Sequence, residues 1–333
     1  MIKNPVSFVL KRFVTQYNTY IDDKTNIFKI SFFFVDYIFA YLFYGASVND
    51  YFAFGFYKMR PNGRNEYITY KRYHKILNVC NSSDHIKYFR DKSLFNDRYA
   101  KYLHRSTLDL NMVSENEFVT FLNDHKEVFV KEVMGFRGKS VFYYNSEEVD
   151  AHSLYAQLKS EEGKHFIVES KLEQHEALAS FHPDSVNTIR VVTVYDDKKD
   201  QLHFMFAKIR IGSNGAHLDN THAGGISGNI DVETGVVVTP GYSVLDKYGF
   251  IFHPNTGKQI VGFRIPFWQE CKSFIEEVAR VTPEIRYVGW DVVLLEDGRF
   301  ALIEANDNAD HDGQQIRYKG LWKEYKSLLK QLS

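Results

Sequence analysis

The 333-residue chain is predicted to be an α+β protein, with a mostly helical N-terminal region followed by two β-rich lobes. Three observations predict this. Up to about residue 120, apolar residues recur at helical spacing, with little glycine and mixed acids and bases. After Asn123 the pattern changes to short runs rich in β-branched and aromatic residues. Near the end, two such runs flank Glu296-Asp297-Gly298, and an Asp-Gly pair is a strong hairpin signal. The expected division is 1–120 (helical), 121–172 (small lobe) and 173–333 (large lobe).

Taken in order, the apolar stretch from Phe28 to Ala46 (SFFFVDYIFAYLFYGA from Ser31) comes first. Asp36 interrupts it, and its apolar pieces fall short of the roughly 20 residues that a spanning helix needs. It is expected to be a buried helix, with a membrane-surface helix as the competing reading. Asn96-Asp97, Asp109–Asn111 and Ser114 read as breaks or caps. Glu127–Val133 (EVFVKEV) and Lys139–Tyr144 (KSVFYY) read as a hairpin around a glycine-bounded loop, Met134–Gly138. His165–Glu169 (HFIVE) is a short strand, and Leu172–Phe181 a helical turn or two before Pro183. Thr188–Tyr195 (TIRVVTVY) and Leu202–Ile211 (LHFMFAKIRI) are strands joined by a turn. A glycine-rich stretch, Asn214–Gly228, leads to a strand pair near Ile230 and Val236–Val238. Pro266–Arg280 is an amphipathic helix with proline near its start. Tyr287–Leu295 and Arg299–Ile303 form the last hairpin, and a helix over Trp322–Leu332 closes the chain.

Charge and cysteine content exclude several classes. A net charge of −1 lacks the basic excess that phosphate neutralisation demands of a duplex-binding protein, so nucleic acid is not an expected partner. Two distant cysteines, Cys80 and Cys271, argue against a disulfide framework and a thiolate zinc site. Lys3, Lys11 and Arg12 break up the first apolar residues, so no signal peptide is expected. The expected location is the cytoplasm, with a membrane-peripheral place as the variant.

The residues that suggest chemistry are charges placed out of pattern. Lys131, Arg190 and Lys208 each sit inside an apolar strand, where a cation is expensive unless it meets an anion. Snorkelling with heads in water is the bland alternative for any one of them. Gly135, Gly138 and Lys139 lie in the loop GFRGK, whose glycines permit close backbone approach to phosphate. Glu304 and Asn306 are two apart, and a hairpin would bring Asp291 near them. Such hard oxygen donors suit Mg²⁺, which also takes phosphate and water. His217 and His222 lack a third soft ligand nearby, so zinc is not expected. There is no G-x-S-x-G nucleophile elbow.

This order resembles the ATP-grasp superfamily: a strand lysine, a glycine loop, a strand ending in an acid, an Arg strand, a Lys strand, then D…E-x-N. The segments SVNTIRVVT, DNTHAGGISGNID and GWDVVLLEDGRFALIEAN are similar to its sugar-transfer-associated branch, found with bacterial surface-polysaccharide synthesis. The resemblance covers about residues 90–310.

It implies two α+β lobes clasping ATP and Mg²⁺. It implies Lys131 at the α- and β-phosphates, the loop with Gly135, Gly138 and Lys139 as a flap, and Lys92 reaching the nucleotide from upstream. Glu169 would end the hinge strand, with Ser170–Leu172 bonding adenine and Glu173 the ribose. Asn187, Arg190 and Lys208 would face the γ-phosphate, and Asp291, Glu304 and Asn306 would hold magnesium. The implied activity is an ADP-forming ligase that activates a carboxylate for an amine or other nucleophile. Its implied substrate is a sugar or glycan precursor near membrane-bound glycan machinery. Asn220 and His222, with the polar segment Asp307–Tyr318, are expected to line a sugar pocket. A sugar kinase and a non-catalytic nucleotide-binding module stay open as alternatives.

Overall fold

The computed structural model describes residues 5–21, 27–135, 141–215, 224–243, 249–316 and 318–332. Two compact units divide the chain: Met1–Cys80 with Asn308–Ser333, and Asn81–Asp307. The division falls at residue 80 rather than near 120. The C-terminal helix joins the first unit instead of closing the large lobe.

In the first unit, α1 (Pro5–Tyr20), α2 (Ile27–Tyr44) and α3 (Val48–Ala53) gather around an aromatic core that includes Phe13, Tyr17, Tyr51, Phe52 and Phe56, and α4 (Pro61–Arg64) and α5 (Tyr70–Cys80) follow. A capping box starts α3. Ser47 Oγ accepts from the Asp50 amide at 3.1 Å, and Asp50 Oδ2 accepts from the Ser47 amide at 2.7 Å. Helix α2 corrects the expectation of burial: only Tyr37 and Ala40 of its 18 residues are buried. It touches its neighbours along one side, where Asp36 meets Arg64 and Tyr51, and its other side is exposed.

The second unit begins with α6 (Lys87–Arg90) and α7 (Lys92–Leu103). Asn96-Asp97 does not break α7. Asp91 caps the helix by accepting from the Ser93 and Leu94 amides, and the Asn96 side chain turns to Glu169. A short strand, β1 (Thr107–Asp109), follows in the region expected to be mostly helical, and it ends at the break expected at Asp109–Asn111. Ser114 does act as a cap, in a capping box with Glu117 that opens α8 (Glu115–Asp124).

The small sheet has the order β1-β4-β2-β3, from β2 (Glu127–Glu132), β3 (Val141–Asn145) and β4 (Phe166–Ser170), all antiparallel. Alternation decides its faces. Val128, Val130, Phe166 and Val168 pack with Phe118 and Leu122 of α8 and with Leu154 and Leu158 of α9 (Ala151–Ser160). Phe129, Lys131, Ile167 and Glu169 therefore lie on the opposite face.

After the short α10 (Glu176–Ala179) comes the large sheet, in the order β7-β6-β5-β8-β9. Its strands are β5 (Thr188–Asp196), β6 (Gln201–Ile211), β7 (Ile226–Ile230), β8 (Tyr287–Leu294) and β9 (Phe300–Asn306). One face packs Ile189, Val191, Ala207, Ile209, Trp290, Val292 and Leu302 against α7 and against α11 (Trp268–Ala279). Burying large apolar side chains there contributes roughly 1.5–3 kcal/mol each. The β8–β9 turn is the expected Asp297-Gly298 one, with Gly298 at φ 83°, a conformation natural to glycine. The chain then returns to the first unit with α12 (Asp312–Gln315) and α13 (Trp322–Leu332). Gln315 is buried there and bonds both the amide and the carbonyl of Ile68.

Candidate functional site

The face of the large sheet turned away from its core carries one row of charges. In register, Lys208 of β6 pairs with Arg190 of β5, Arg190 with Asp291 of β8, and Asp291 with Glu304 of β9. Directly paired residues in antiparallel strands share a face, so the four side chains stand side by side. Arg190 Nη2 donates to Asp291 Oδ2 at 2.5 Å, and Arg190 Nε also meets that carboxylate. Arg210, two residues beyond Lys208 on the same face, donates to Asp291 Oδ2 at 2.7 Å. Burial alone would raise the Asp291 pKa, but the two guanidinium groups overcome it and hold the carboxyl well below the usual range.

Glu304 reaches this row because of a β-bulge. Asp291 pairs with Glu304 but Val292 pairs with Leu302, so Ile303 is the extra residue. In a regular strand Glu304 would share the core face of Phe300 and Leu302; the bulge turns it to the face of Asp291. The Glu304 side chain is 50% exposed. Its pKa is nonetheless raised, by the surrounding protein bulk and then by the Asp291 carboxylate beside it. Asn306 Nδ2 donates to Glu304 Oε1 at 3.3 Å.

The free face of the small sheet carries a second cluster. Lys131 donates to Glu169 Oε2 at 2.5 Å, and Arg105 Nη2 donates to Glu169 Oε1 at 3.0 Å. Burial works against the Glu169 charge, and Arg105 and Lys131 more than offset it, bringing the pKa down to about 2 from 4.5. A depressed acid contributes stability that is present above its unfolded pKa and is lost as pH falls through the folded one. The unfolding free energy is therefore expected to fall between pH 4.5 and about 2, and Glu169→Gln to flatten that part of the profile in urea titrations. An unchanged profile in that variant would reject the assignment.

Arg105 joins the two sheets. Its Nη1 donates to the Leu302 carbonyl at 2.6 Å and its Nη2 to the Ile303 carbonyl at 3.1 Å, on either side of the bulge peptide. Lys92 lies in the same neighbourhood. Burial lowers its pKa, the Lys131 ammonium lowers it further, and the Glu304, Glu169 and Glu132 charges pull the other way. Cations beside the small sheet thus feel the carboxylate of the large one.

Several expected roles are placed differently. Lys92 Nζ bonds the carbonyls of Glu132, Val133 and Gly135 at 2.8, 3.2 and 2.8 Å, so it pins the start of the expected flap instead of reaching outward. The anion that answers Lys131 is Glu169, which is itself enclosed by Lys131, Arg105 and Asn96 rather than offered to a base. The Ser170 and Lys171 amides are paired with the Ser106 and Glu127 carbonyls. Leu172 packs with Val293, Leu295 and Ala301, and the Glu173 carbonyl accepts from the Glu296 amide. Asn187 is fully buried. Its Nδ2 donates to Gln174, Leu178 and His182, and its Oδ1 accepts from the Gly212 amide, so it organises loops rather than facing phosphate. Gln314 and Gln315 are buried in the first unit, and the Asp307 carboxylate is held by Arg90 at 2.9 Å, so none of the three lines a sugar pocket. Gly138, Lys139, Asn220 and His222 lie outside the described residues.

The carboxylates fit a divalent cation supplied from elsewhere. Two of them stand close enough that one holds the other's pKa up, and one, Glu304, is half exposed and accepts from the Asn306 side-chain amide. Among the described residues no three of His, Cys, Asp and Glu converge on a metal position. A half-exposed carboxylate such as Glu304 is the kind of hard oxygen donor that Mg²⁺ takes together with phosphate and water.

A family model described as sugar-transfer associated ATP-grasp matches residues 111–330. The chain belongs to the sugar-transfer associated ATP-grasp family. Its α+β fold, with a helical N-terminal region, is the one the sequence predicted. Among solved structures it is similar to the ATP-grasp ligase PsnB in complex with a minimal precursor, at 14% identity and a TM-score of 0.46, covering 76% of this chain and 64% of that one. It is also similar to D-alanyl-alanine synthetase A from Vibrio cholerae, at 12% identity and a TM-score of 0.45, covering 76% and 67%. A third is N5-carboxyaminoimidazole synthase from Aspergillus clavatus in complex with ADP, at 10% and 0.45, covering 75% and 54%. The chain thus spans less than two thirds of PsnB. No curated protein matches.

Proposed function

We propose that this ATP-grasp chain is an ADP-forming ligase that binds Mg-ATP between the free faces of its two sheets and phosphorylates a carboxylate. The observation that carries the reading is the in-register row Lys208, Arg190, Asp291, Glu304, joined through Arg105 to Glu169 and Lys131. On these two faces five cations (Arg105, Lys131, Arg190, Lys208 and Arg210) stand with three carboxylates (Glu169, Asp291 and Glu304), an excess suited to a polyphosphate.

Asp291, Glu304 and the Asn306 amide oxygen would hold magnesium, which neutralises phosphate charge when bound. Arg190, Arg210 and Lys208 would steady the transferred phosphoryl group, whose charge spreads over its oxygens as it moves. A carboxylate oxygen of the acceptor attacks the γ-phosphorus and the bond to ADP breaks, leaving an acyl phosphate. An amine or other nucleophile then displaces phosphate. Positioning and fixed charge suffice for such chemistry.

The acceptor is proposed to be a sugar-linked carboxylate or glycan precursor. Support for that class comes from the family description and from the resemblance of the NTIR and glycine-rich segments. The test is a screen of uronic acids, aminosugars, amino acids and peptides for ADP release, with hydroxylamine present to trap acyl phosphates. The proposal expects Mg-dependent ADP release with hydroxamate from a sugar carboxylate. ADP release with a phosphorylated hydroxyl and no hydroxamate would make the chain a kinase. Hydroxamate only from peptides or amino acids would reject the sugar class alone.

A further inference from the structure

Helix α2 presents a continuous apolar stripe that nothing among the described residues covers. Phe28, Phe32, Val35, Phe39, Leu42 and Phe43 recur every three or four residues, so they share one side, and all are exposed, Phe28 at 84% and Phe43 at 72%. A patch of this kind marks a docking surface more often than bare protein surface. It lies outside residues 111–330, the family match.

We propose that this face of α2 lies in the interface of an anionic membrane, with the helix parallel to the surface. Three observations choose that occupant. The single acid of α2, Asp36, points inward, where Arg64 Nη2 at 2.8 Å and the Tyr51 hydroxyl at 2.7 Å neutralise it, so no charge on the stripe opposes lipid.

Cations flank the apolar face. Lys29 is exposed near one end, Lys71 sits over the Tyr41 ring at 4.1 Å near the other, and Lys11, Arg12, Lys58 and Arg60 are exposed on neighbouring segments. Stems of this kind snorkel while their heads meet lipid phosphate. The whole unit has sixteen Lys and Arg against eight Asp and Glu, a net +8, which leaves −9 for the remainder of a chain whose total is −1. Two such units would repel each other, which disfavours a second copy of the chain as the occupant.

The opposite side of α2 is tied down. Tyr37 packs its ring against Phe13 and Tyr51 at 5.5 and 5.8 Å, and Asp36 keeps its ion pair. Alone among the described helices, α2 is long and apolar enough to cross a membrane. Crossing would carry the Asp36 charge into hydrocarbon or break that pair, whereas lying on the surface costs neither.

The experiment is flotation of the full chain with vesicles of phosphatidylcholine alone and with vesicles in which phosphatidylglycerol replaces about a third of the lipid. Wild-type protein should float with the anionic vesicles and much less with the neutral ones, and added salt should weaken the association. Phe32→Glu with Phe39→Glu should cut the bound fraction at least about tenfold. The milder Phe39→Ser should cut it less. Both variants should keep the wild-type melting temperature, since these side chains are exposed. Three outcomes overturn the proposal: no flotation of wild type with anionic vesicles, a solution dimer that Phe39→Glu converts to monomer, or bound protein that survives an alkaline carbonate wash, as a spanning helix would.

Discussion

Glu304→Gln is expected to lower ATP turnover at least about a thousandfold while leaving the melting temperature almost unchanged. The variant keeps the size of the side chain and removes its charge at the centre of the proposed site. Its structural cost is small because the side chain is half exposed and its ion pair with Arg190 is long, at 3.6 Å. Relieving the crowding with Asp291 works in the same direction, since the carboxylate is held in an unfavourable state. Asp291→Asn is the poorer probe of the same idea. It strips the counter-charge from Arg190 and Arg210, and breaking such a buried pair costs about 3–5 kcal/mol. Lost activity there would mix chemistry with folding. Turnover measured against melting separates the two: a Glu304→Gln enzyme with normal Mg-dependent turnover removes this residue from the site.

Arg105→Leu is expected to destabilise the second unit by about 3–5 kcal/mol, read as a lower urea midpoint. Glu169 would keep only Lys131 as a contacting cation, and the Leu302 and Ile303 carbonyls would lose their donors. Arg105→Lys should recover part of the stability but little of the activity. An ammonium can pair with Glu169, yet it cannot present the planar fork that reaches both the carboxylate and the carbonyls beside the bulge. Since that bulge turns Glu304 to the face of Asp291, the retained stability should come with a loss in kcat. If Arg105→Lys restores stability and kcat together, Arg105 is a structural ion-pair partner and does not position Glu304.

These two residues mark how far the sequence can be read. Asp291, Glu304, Arg190 and Lys208 were legible because a charge in an apolar strand breaks the pattern, and the Asp297-Gly298 turn foretold which strands would meet. Arg210 was legible in retrospect, two residues from Lys208 in KIRI and so on the same face. Arg105 carries no local signal, because it follows a helix and its partners lie 64 and about 200 residues along the chain. The bulge at Ile303 follows from pairing register, which composition does not encode. Asn187 was expected to face phosphate and Gln315 to lie in a sugar pocket, and burial gave each of them structural partners instead. Helix α2 was expected to be buried on composition alone, and composition does not distinguish an apolar helix facing a core from one facing lipid.

The central claim is that one nucleotide site uses residues from both sheets. Calorimetric titration of a non-hydrolysable ATP analogue, with and without magnesium, tests it most directly on wild type, Lys131→Met and Glu304→Gln. The account predicts one nucleotide per chain, bound more tightly with magnesium. Lys131→Met should weaken binding with or without the ion, and Glu304→Gln should remove the gain that magnesium brings. No binding by the wild type, or binding that neither substitution alters, would contradict it.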